Sequence, residues 1–460
     1  MSLKLKYTLN NIGNISDATV TIKPLTIIAG ENSSGKTFVT KSLYTILNSI
    51  YKDHFSDQLI NKFQLLNQSY LEFFDKLSKP AKIDITFNEF YLNSTDKIKI
   101  VITKLAKAPF EEQEKIIDDN ISTFTIFNQK TEEYFKDRLE IKKFNKYAEE
   151  IDDILLALFN FNYTVNNRRD VLIDNINSSL DSGFKKNYQI TNIQSLIKRN
   201  QKEKLSISLE EIGNIEIDNK SNINFNFDTK GIQKVQNVEN IVFFDSPVYI
   251  KIRKALEKSK TSFFSFLNTD DDKYLKGYPE YLEQLYTFVD KEYIDIPDFN
   301  EISQEIQEII SGKLNITKSG DILYSDNYGN IIPLSLTAMG ISNIGLIDLL
   351  LRNNVINKGS FLIMDEPEVH LHPKWQVELA NILYKIAKSG ANIIIATHSL
   401  DLLKAFQVIL KNDFEVANDI IAVNKVPFNE DFSKINEIDK INEVLDDLSK
   451  PYYDLYTQSS

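Results

Sequence analysis

The chain has 460 residues and a mass of 53.0 kDa, too much for one compact core, so two or three lobes are expected. With 42% hydrophobic and 26% charged residues it reads as an ordinary globular protein, and the absence of cysteine excludes disulfides, thiolate metal sites and cysteine nucleophiles while suiting a reducing cytoplasm. A net charge of −12 argues against a protein whose main work is gripping duplex DNA, because neutralising phosphates calls for a basic field.

In chain order, residues 3–29 alternate as strands do: LKLKYTL, then ATVTI, then LTIIA. The first two read as an antiparallel pair leading into a buried strand that ends at Gly30. That opening is not the apolar core of a signal peptide, and no run approaches the ~18 apolar residues of a membrane span. From Phe38 to about Lys76 the spacing is helical. Lys82–Thr103 reads as a β-hairpin turning at Asn93-Ser94-Thr95-Asp96. Helical spacing follows between Lys104 and Lys204, as in Ile117, Ile121, Phe124, Phe127 and in Ile151, Ile154, Leu155, Leu158, without a sustained heptad. Strand alternation returns in LSISLEEIGNIEI and INFNFD and ends in NIVFFDSP, Asn240–Pro247. More helix follows, including PEYLEQLYTFVDKEYIDI, and a last block from about Ser311 carries two buried strands, SFLIMDEP and ANIIIATHS. The basic runs Lys198–Lys204 and Lys251–Lys260 read as solvated helix faces.

Three motifs carry chemistry. Gly30-Glu31-Asn32-Ser33-Ser34-Gly35-Lys36-Thr37 fits G-x-x-x-x-G-K-[ST] between an apolar strand and a helix. Glycines let backbone N–H groups turn toward phosphates, the helix start at Phe38 adds its dipole, Lys36 would bridge the β- and γ-phosphates of ATP, and Thr37 would ligate Mg²⁺. In FLIMDEPEVHLHP, a buried strand delivers Asp365 to the magnesium shell and Glu366 to orient and deprotonate the attacking water. NIIIATHS ends a further strand at His398, one helix and one strand later, which predicts parallel neighbours and lets His398 sense the γ-phosphate. His370 and His372 form a bare H-x-H that reads as structural rather than as a metal site.

Together these motifs resemble an ABC-type P-loop ATPase of the SMC, RecF and OLD kind, with the Leu-His-Pro after Glu366 similar to the prokaryotic OLD-like branch. The resemblance implies an α/β fold with a mixed sheet core, an antiparallel β lobe and an inserted helical domain. The segments it implies are 1–105 (ATPase lobe I with Walker A), 106–202 (helical insertion), 203–250 (the rest of lobe I and a Q-loop-like strand), 251–310 (helical arm) and 311–460 (ATPase lobe II). It implies ATP sandwiched between two copies, with Thr337 and Gly340 of PLSLTAMGISNIGLIDLLL as signature residues. Ala338 and Met339 depart from the Leu-Ser-Gly-Gly form. Asp245 and Ser246 stand where a Q-loop glutamine is usual, Asp245 as a further Mg²⁺ or water contact.

OLD proteins add a Toprim nuclease domain, and the acidic residues of NEVLDDLSK lack a Toprim arrangement, so the chain reads as the ATPase alone. It therefore resembles cytoplasmic ATPase subunits of two-component anti-phage defence systems, of the PARIS type first and the Septu type next. That implies a homo-oligomeric scaffold, a separate Toprim- or HNH-type nuclease effector and a phage-encoded trigger. The competing expectation is a RecF- or SMC-like DNA-repair ATPase with local DNA contacts.

Overall fold

The computed structural model describes residues 4–77, 81–108, 110–198, 204–253, 256, 278–291, 298–427 and 430–458. The chain forms two compact units: residues 1–49 with 179–460, and residues 50–178.

Among the described residues the first unit is built on three sheets. The central one holds β3 (Leu25–Ala29), β7 (Ile241–Phe244), β11 (Phe361–Asp365), β12 (Asn392–Thr397) and β13 (Ile421–Lys425), in the order β13-β3-β12-β11-β7. All four pairings are parallel. Apart from a half-buried Lys425, every residue of these strands is buried, and that is why they read as continuous apolar runs rather than alternations. The second sheet is antiparallel, β2-β1-β4-β5-β6, from β1 (Leu5–Ile12), β2 (Ile15–Ile22), β4 (Leu205–Leu209), β5 (Gly213–Ile217) and β6 (Ile223–Phe227). These strands do alternate, as half-buried strands must. A three-stranded sheet, β8 (Gly312–Ile316), β9 (Ile322–Asp326) and β10 (Ile331–Pro333), completes the unit. The expected mixture of strand directions is thus divided between sheets.

Register does the positioning. Ala29 of β3 pairs with Thr397 of β12, and Asp365 of β11 pairs with Ala396. The carboxyl ends of three adjacent strands are therefore level, so the loops after them open on one edge, where ligands bind in open parallel sheets.

The second unit is helical: α2 (His54–Lys76), α3 (Lys82–Leu105), α4 (Phe110–Leu139) and α5 (Ala148–Asn166). Its core is dominated by rings, among them Phe63, Tyr70, Phe73, Phe87, Tyr91, Phe127, Phe135 and Phe161. The chain enters it within α1 (Lys36–Tyr51) and leaves it within α6 (Arg168–Tyr188). Two expectations are corrected here. Lys82–Thr103 is helix rather than hairpin, and the inserted unit spans 50–178 rather than 106–202. Among the described side chains of α3, Asp84, Phe87, Tyr91, Thr95, Ile98, Val101, Ile102 and Leu105 are the buried positions, a three-and-four spacing that puts one stripe of the helix into the core. The β-branched residues that suggested strands are divided, Thr95, Ile98, Val101 and Ile102 lying in that stripe and Ile85 and Ile100 exposed. Most of Lys198–Lys204 and of Lys251–Lys260 lies outside the described residues. No described helix is long and apolar enough to cross a membrane.

One buried ion pair closes this unit. Asp84 accepts from Arg138 Nη2 at 2.8 Å and from Tyr134 Oη at 2.9 Å, and its other oxygen accepts from Ala81 N at 2.7 Å. Burial would raise the Asp84 carboxyl, but these donors outweigh it and hold the group below its ordinary value. Removing one partner of such a pair costs far more than the pair contributes. Arg138→Met should therefore destabilise the protein by about 3–5 kcal/mol. Asp84→Asn combined with Arg138→Met should recover most of that loss, as urea denaturation followed by circular dichroism would measure.

Candidate functional site

Five buried residues of β3 run into Gly30, whose added Cβ would lie 2.1 Å from the Val426 carbonyl oxygen, so only glycine lets the chain pass. Gly35 has φ +107°, and a Cβ there would lie 2.7 Å from Ile15 and 2.8 Å from Asn14. Asn14, in the turn between β1 and β2, donates to the Ser33 carbonyl and holds the loop from outside. Lys36 is buried, and its ammonium donates to the Gly30 and Glu31 carbonyls at 2.9 and 2.8 Å. Burial lowers its pKa, opposed by Glu366, Asp365 and Glu368. Glu31, Asn32 and Ser33 are exposed and Ser34 is half-buried with an unpartnered hydroxyl oxygen. Phe38 turns inward, its ring stacked on Tyr188 at 5.5 Å.

Across the strand-end edge, Thr37 Oγ1 donates to Asp365 Oδ2 at 2.7 Å. Asp365 Oδ1 is buried with no hydrogen-bond partner, an orphaned anionic oxygen that water or a cation must satisfy. Burial is the main cause that pushes this carboxyl up to about 6, helped by Asp245 and Glu366 and opposed by the Thr37 bond and Lys41. Asp245, just past β7, accepts from Tyr281 Oη at 3.0 Å and lies 3.7 Å from the Lys41 ammonium. Its neighbour Ser246 caps a short helix by accepting from Val248 N. Among the described residues no cluster of three or more His, Cys, Asp or Glu could hold a metal. A hydroxyl, one carboxylate with a free oxygen and a second carboxylate nearby are the sparse oxygen set that Mg²⁺ takes when phosphates and water complete its shell.

Glu366 adopts φ +49°, a strained value for a non-glycine residue, and its N–H bonds the Ala396 carbonyl at 2.9 Å. That turn brings its Oε1 to 3.3 Å from His398 Nδ1, without the angle of a hydrogen bond. Below them sits Glu368, which sequence reasoning missed. It is buried, and its Oε1 accepts from Thr397 Oγ1 at 2.7 Å and from His398 N at 3.2 Å. Its position in D-E-P-E, one strand away from T-H-S, was the available signal. His372 spends its Nδ1 capping the helix Pro373–Lys388, and His370 sits at φ +64°, so neither is placed as half of a metal pair.

Lys36, Thr37, Asp365, Glu366 and His398 thus meet at one edge. Thr337 and Gly340 are held by other partners. Thr337 is buried, with its hydroxyl donating to the Pro333 carbonyl at 3.1 Å. Gly340 opens the helix Met339–Arg352, and a Cβ there would lie 3.1 Å from Trp375 and 3.3 Å from the His370 carbonyl oxygen. Asn343, one turn on, donates to the Pro367 carbonyl at 2.9 Å, tying this helix to the segment after Glu366.

The buried Asp365 sets a pH dependence. Below its ordinary value of 3.8 both folded and unfolded chains carry the proton. Between 3.8 and about 6 only the unfolded chain ionises, so stability falls as pH rises, by about 3 kcal/mol in all. Asp365→Asn removes this loss. In EDTA without nucleotide it should melt higher than the unsubstituted protein at pH 8 and alike at pH 4, while losing the stabilisation that Mg²⁺ with ATP confers.

A family profile described as AAA ATPase domain matches residues 4–403. Over 98 residues the chain is 28% identical to the DNA double-strand break repair Rad50 ATPase of Saccharolobus solfataricus, a stretch that is 21% of this chain and 11% of that protein. The chain thus spans about a tenth of the curated relative it matches. Among solved structures, the SMC head domain from Thermotoga maritima aligns over 88% of this chain and 92% of its own, at 10% identity and a TM-score of 0.34. The Smc head domain from Pyrococcus furiosus, with an extended coiled coil and bound to the C-terminal domain of ScpA, aligns over 88% and 92%, at 11% identity and a TM-score of 0.37. The phosphate loop and both strand-end carboxylates fall within the matched span, and the chain belongs to the AAA ATPase domain family.

Proposed function

We propose that the cluster at the strand-end edge is the hydrolytic site, and that its nucleotide state controls a separate effector protein. The observation that carries the reading is the junction of Lys36, Thr37 and Asp365 with the Glu366–His398 pair. The triphosphate lies along residues 30–38, where Lys36 exchanges its two carbonyl partners for phosphate oxygens. Thr37 and Asp365 would hold Mg²⁺, with Asp245 as a further contact, and the ion would supply neutralisation of the charge that develops on the phosphates. Glu366 takes a proton from the attacking water. His398, fixed through its backbone by Glu368, contacts the transferred phosphoryl group. Two copies close over two ATP molecules, with Thr337 and Gly340 of one copy facing the loop of the other once the first turn of their helix is free to receive phosphate.

The acidic balance of the chain favours protein partners over duplex DNA. Together with the D-E-P-E-x-x-L-H-P motif it supports a scaffold of a two-component anti-phage system, PARIS-like before Septu-like. Such a scaffold holds a Toprim- or HNH-type nuclease until a phage-encoded trigger releases it. The effector binds one nucleotide state better than the other, which is what couples hydrolysis to release. The partial identity with a Rad50 ATPase favours a second reading, in which the chain handles DNA ends.

One variant separates the two. Glu366→Gln should lower turnover by at least 100-fold while ATP binding persists, trapping the closed dimer. Recovered from its host with ATP and Mg²⁺, it should carry a stoichiometric nuclease-like protein. Recovery of DNA without a protein partner would overturn the scaffold and support the second reading, and unchanged turnover would remove Glu366 from the mechanism.

A further inference from the structure

Within the helical unit, α2 packs along α5 and α3 along α4, but α2 and α3 part from each other and leave a groove. Tyr70 stacks on Tyr91 with ring centroids 3.5 Å apart, Tyr70 Oη donates to Asn88 Oδ1, and Tyr91 Oη donates to Asn67 Oδ1. Later residues of α2 therefore meet earlier residues of α3, so the two helices are antiparallel. On one side of this contact opens a cavity of about 900 Å³ floored by Phe63, Tyr91 and Ile102 and flanked by Leu71 and Leu92. Leu71 and Leu92 are 50% and 45% exposed, a cost that a monomer gains nothing from. The groove is also polarised. Glu72 and Asp75 lie toward the end where α2 finishes, Lys99 and Lys107 toward the other. From Ile60 to Asp75 it follows about 22 Å of helix.

A second exposed feature of the same unit has the complementary shape. On α5, Leu156, Phe159 and Tyr163 form one stripe, with Phe159 64% exposed and its ring against that of Tyr163 at 6.4 Å. Asp152 and Asp153 precede the stripe; Arg169 and Arg168, the latter paired with Asp118 at 3.0 Å, follow it. From Asp152 to Asn166, where α5 ends, the helix rises about 21 Å, close to the length of the groove.

We propose that α5 of one copy docks into the α2/α3 groove of a second copy, its acidic start on Lys99 and Lys107, with Arg168 and Arg169 at the start of α6, just past its end, on Glu72 and Asp75. An amphipathic helix laid in an apolar groove is a recurrent mode of recognition, and here knob and groove both belong to one chain. Because they are different surfaces, the contact is head-to-tail, and a pair of copies keeps one free knob and one free groove to offer further copies. It does not involve the ATP site, so it links copies in the absence of nucleotide.

Sedimentation of the full chain without nucleotide tests this. The unsubstituted protein should gain mass with concentration, while Phe159→Glu and the pair Leu71→Glu with Leu92→Glu should each be monomeric with unchanged helix content. Mixing the two variants leaves one intact knob and one intact groove, and should give a 1:1 dimer that stops there. A monomeric unsubstituted protein, or a mixture that stays monomeric, would overturn the proposal. A charge exchange keeps the test open should an apolar substitution unfold the chain. Asp152→Lys with Asp153→Lys should weaken association at least tenfold, and Lys99→Glu with Lys107→Glu in the same chain should restore it. Failure of that rescue would also overturn it.

Discussion

The structure depends on one constraint, the parallel registry of β3, β12 and β11. Ala29 opposite Thr397 and Asp365 opposite Ala396 bring segments more than 300 residues apart in sequence to a common edge. A slip of two residues in either pairing would move a strand end by roughly 6–7 Å and separate Thr37 from Asp365. The 2.7 Å bond between those two residues therefore reports that the registry is correct. Burial enforces it: these strands are apolar on both faces, and any shift would expose part of one run and bury polar loop atoms.

The same burial makes the site reactive. An aspartate raised to about 6, a lysine folded onto carbonyl oxygens and a glutamate held at φ +49° are each unfavourable in the free protein. On the proposed reading a cation would relieve the first and a triphosphate the second. Such relief is differential binding energy, available to pull the loop and the carboxylates together when nucleotide arrives. Glu368 is the exception in the cluster. It serves the fold, fastening Thr397 and the backbone of His398, and so keeps the end of β12 from fraying beside the chemistry.

The helical unit obeys a different logic. Its core is an assembly of stacked and edge-on rings closed by the Asp84–Arg138 pair. In Lys82–Thr103, β-branched residues fall at every second position often enough to imitate strands, yet the large residues Phe87, Tyr91, Ile98, Ile102 and Leu105 keep helical spacing. β-propensity and the positions of the bulkiest side chains disagree over this segment, and the side-chain positions prevail. What overrides propensity is the partner surface, here α4 with Phe127, Tyr134 and Phe135.

The phosphate loop, the Asp365-Glu366 pair and His398 were legible in the sequence because each joins a continuous apolar run to a short polar motif, a pattern that needs no knowledge of neighbours. The direction of the parallel sheet followed from the interval between those runs. The sequence by itself thus determined which residues meet at that edge and the buried core that carries them. Tertiary structure alone decided where the helical unit begins, that Asn14 braces the loop, that Glu368 and Asn343 hold their neighbours, and that α2 and α3 part to form a groove. The physical reason is distance along the chain. Those features are contacts between residues far apart in sequence, fixed by packing rather than by local pattern, and a one-dimensional spacing carries no record of them.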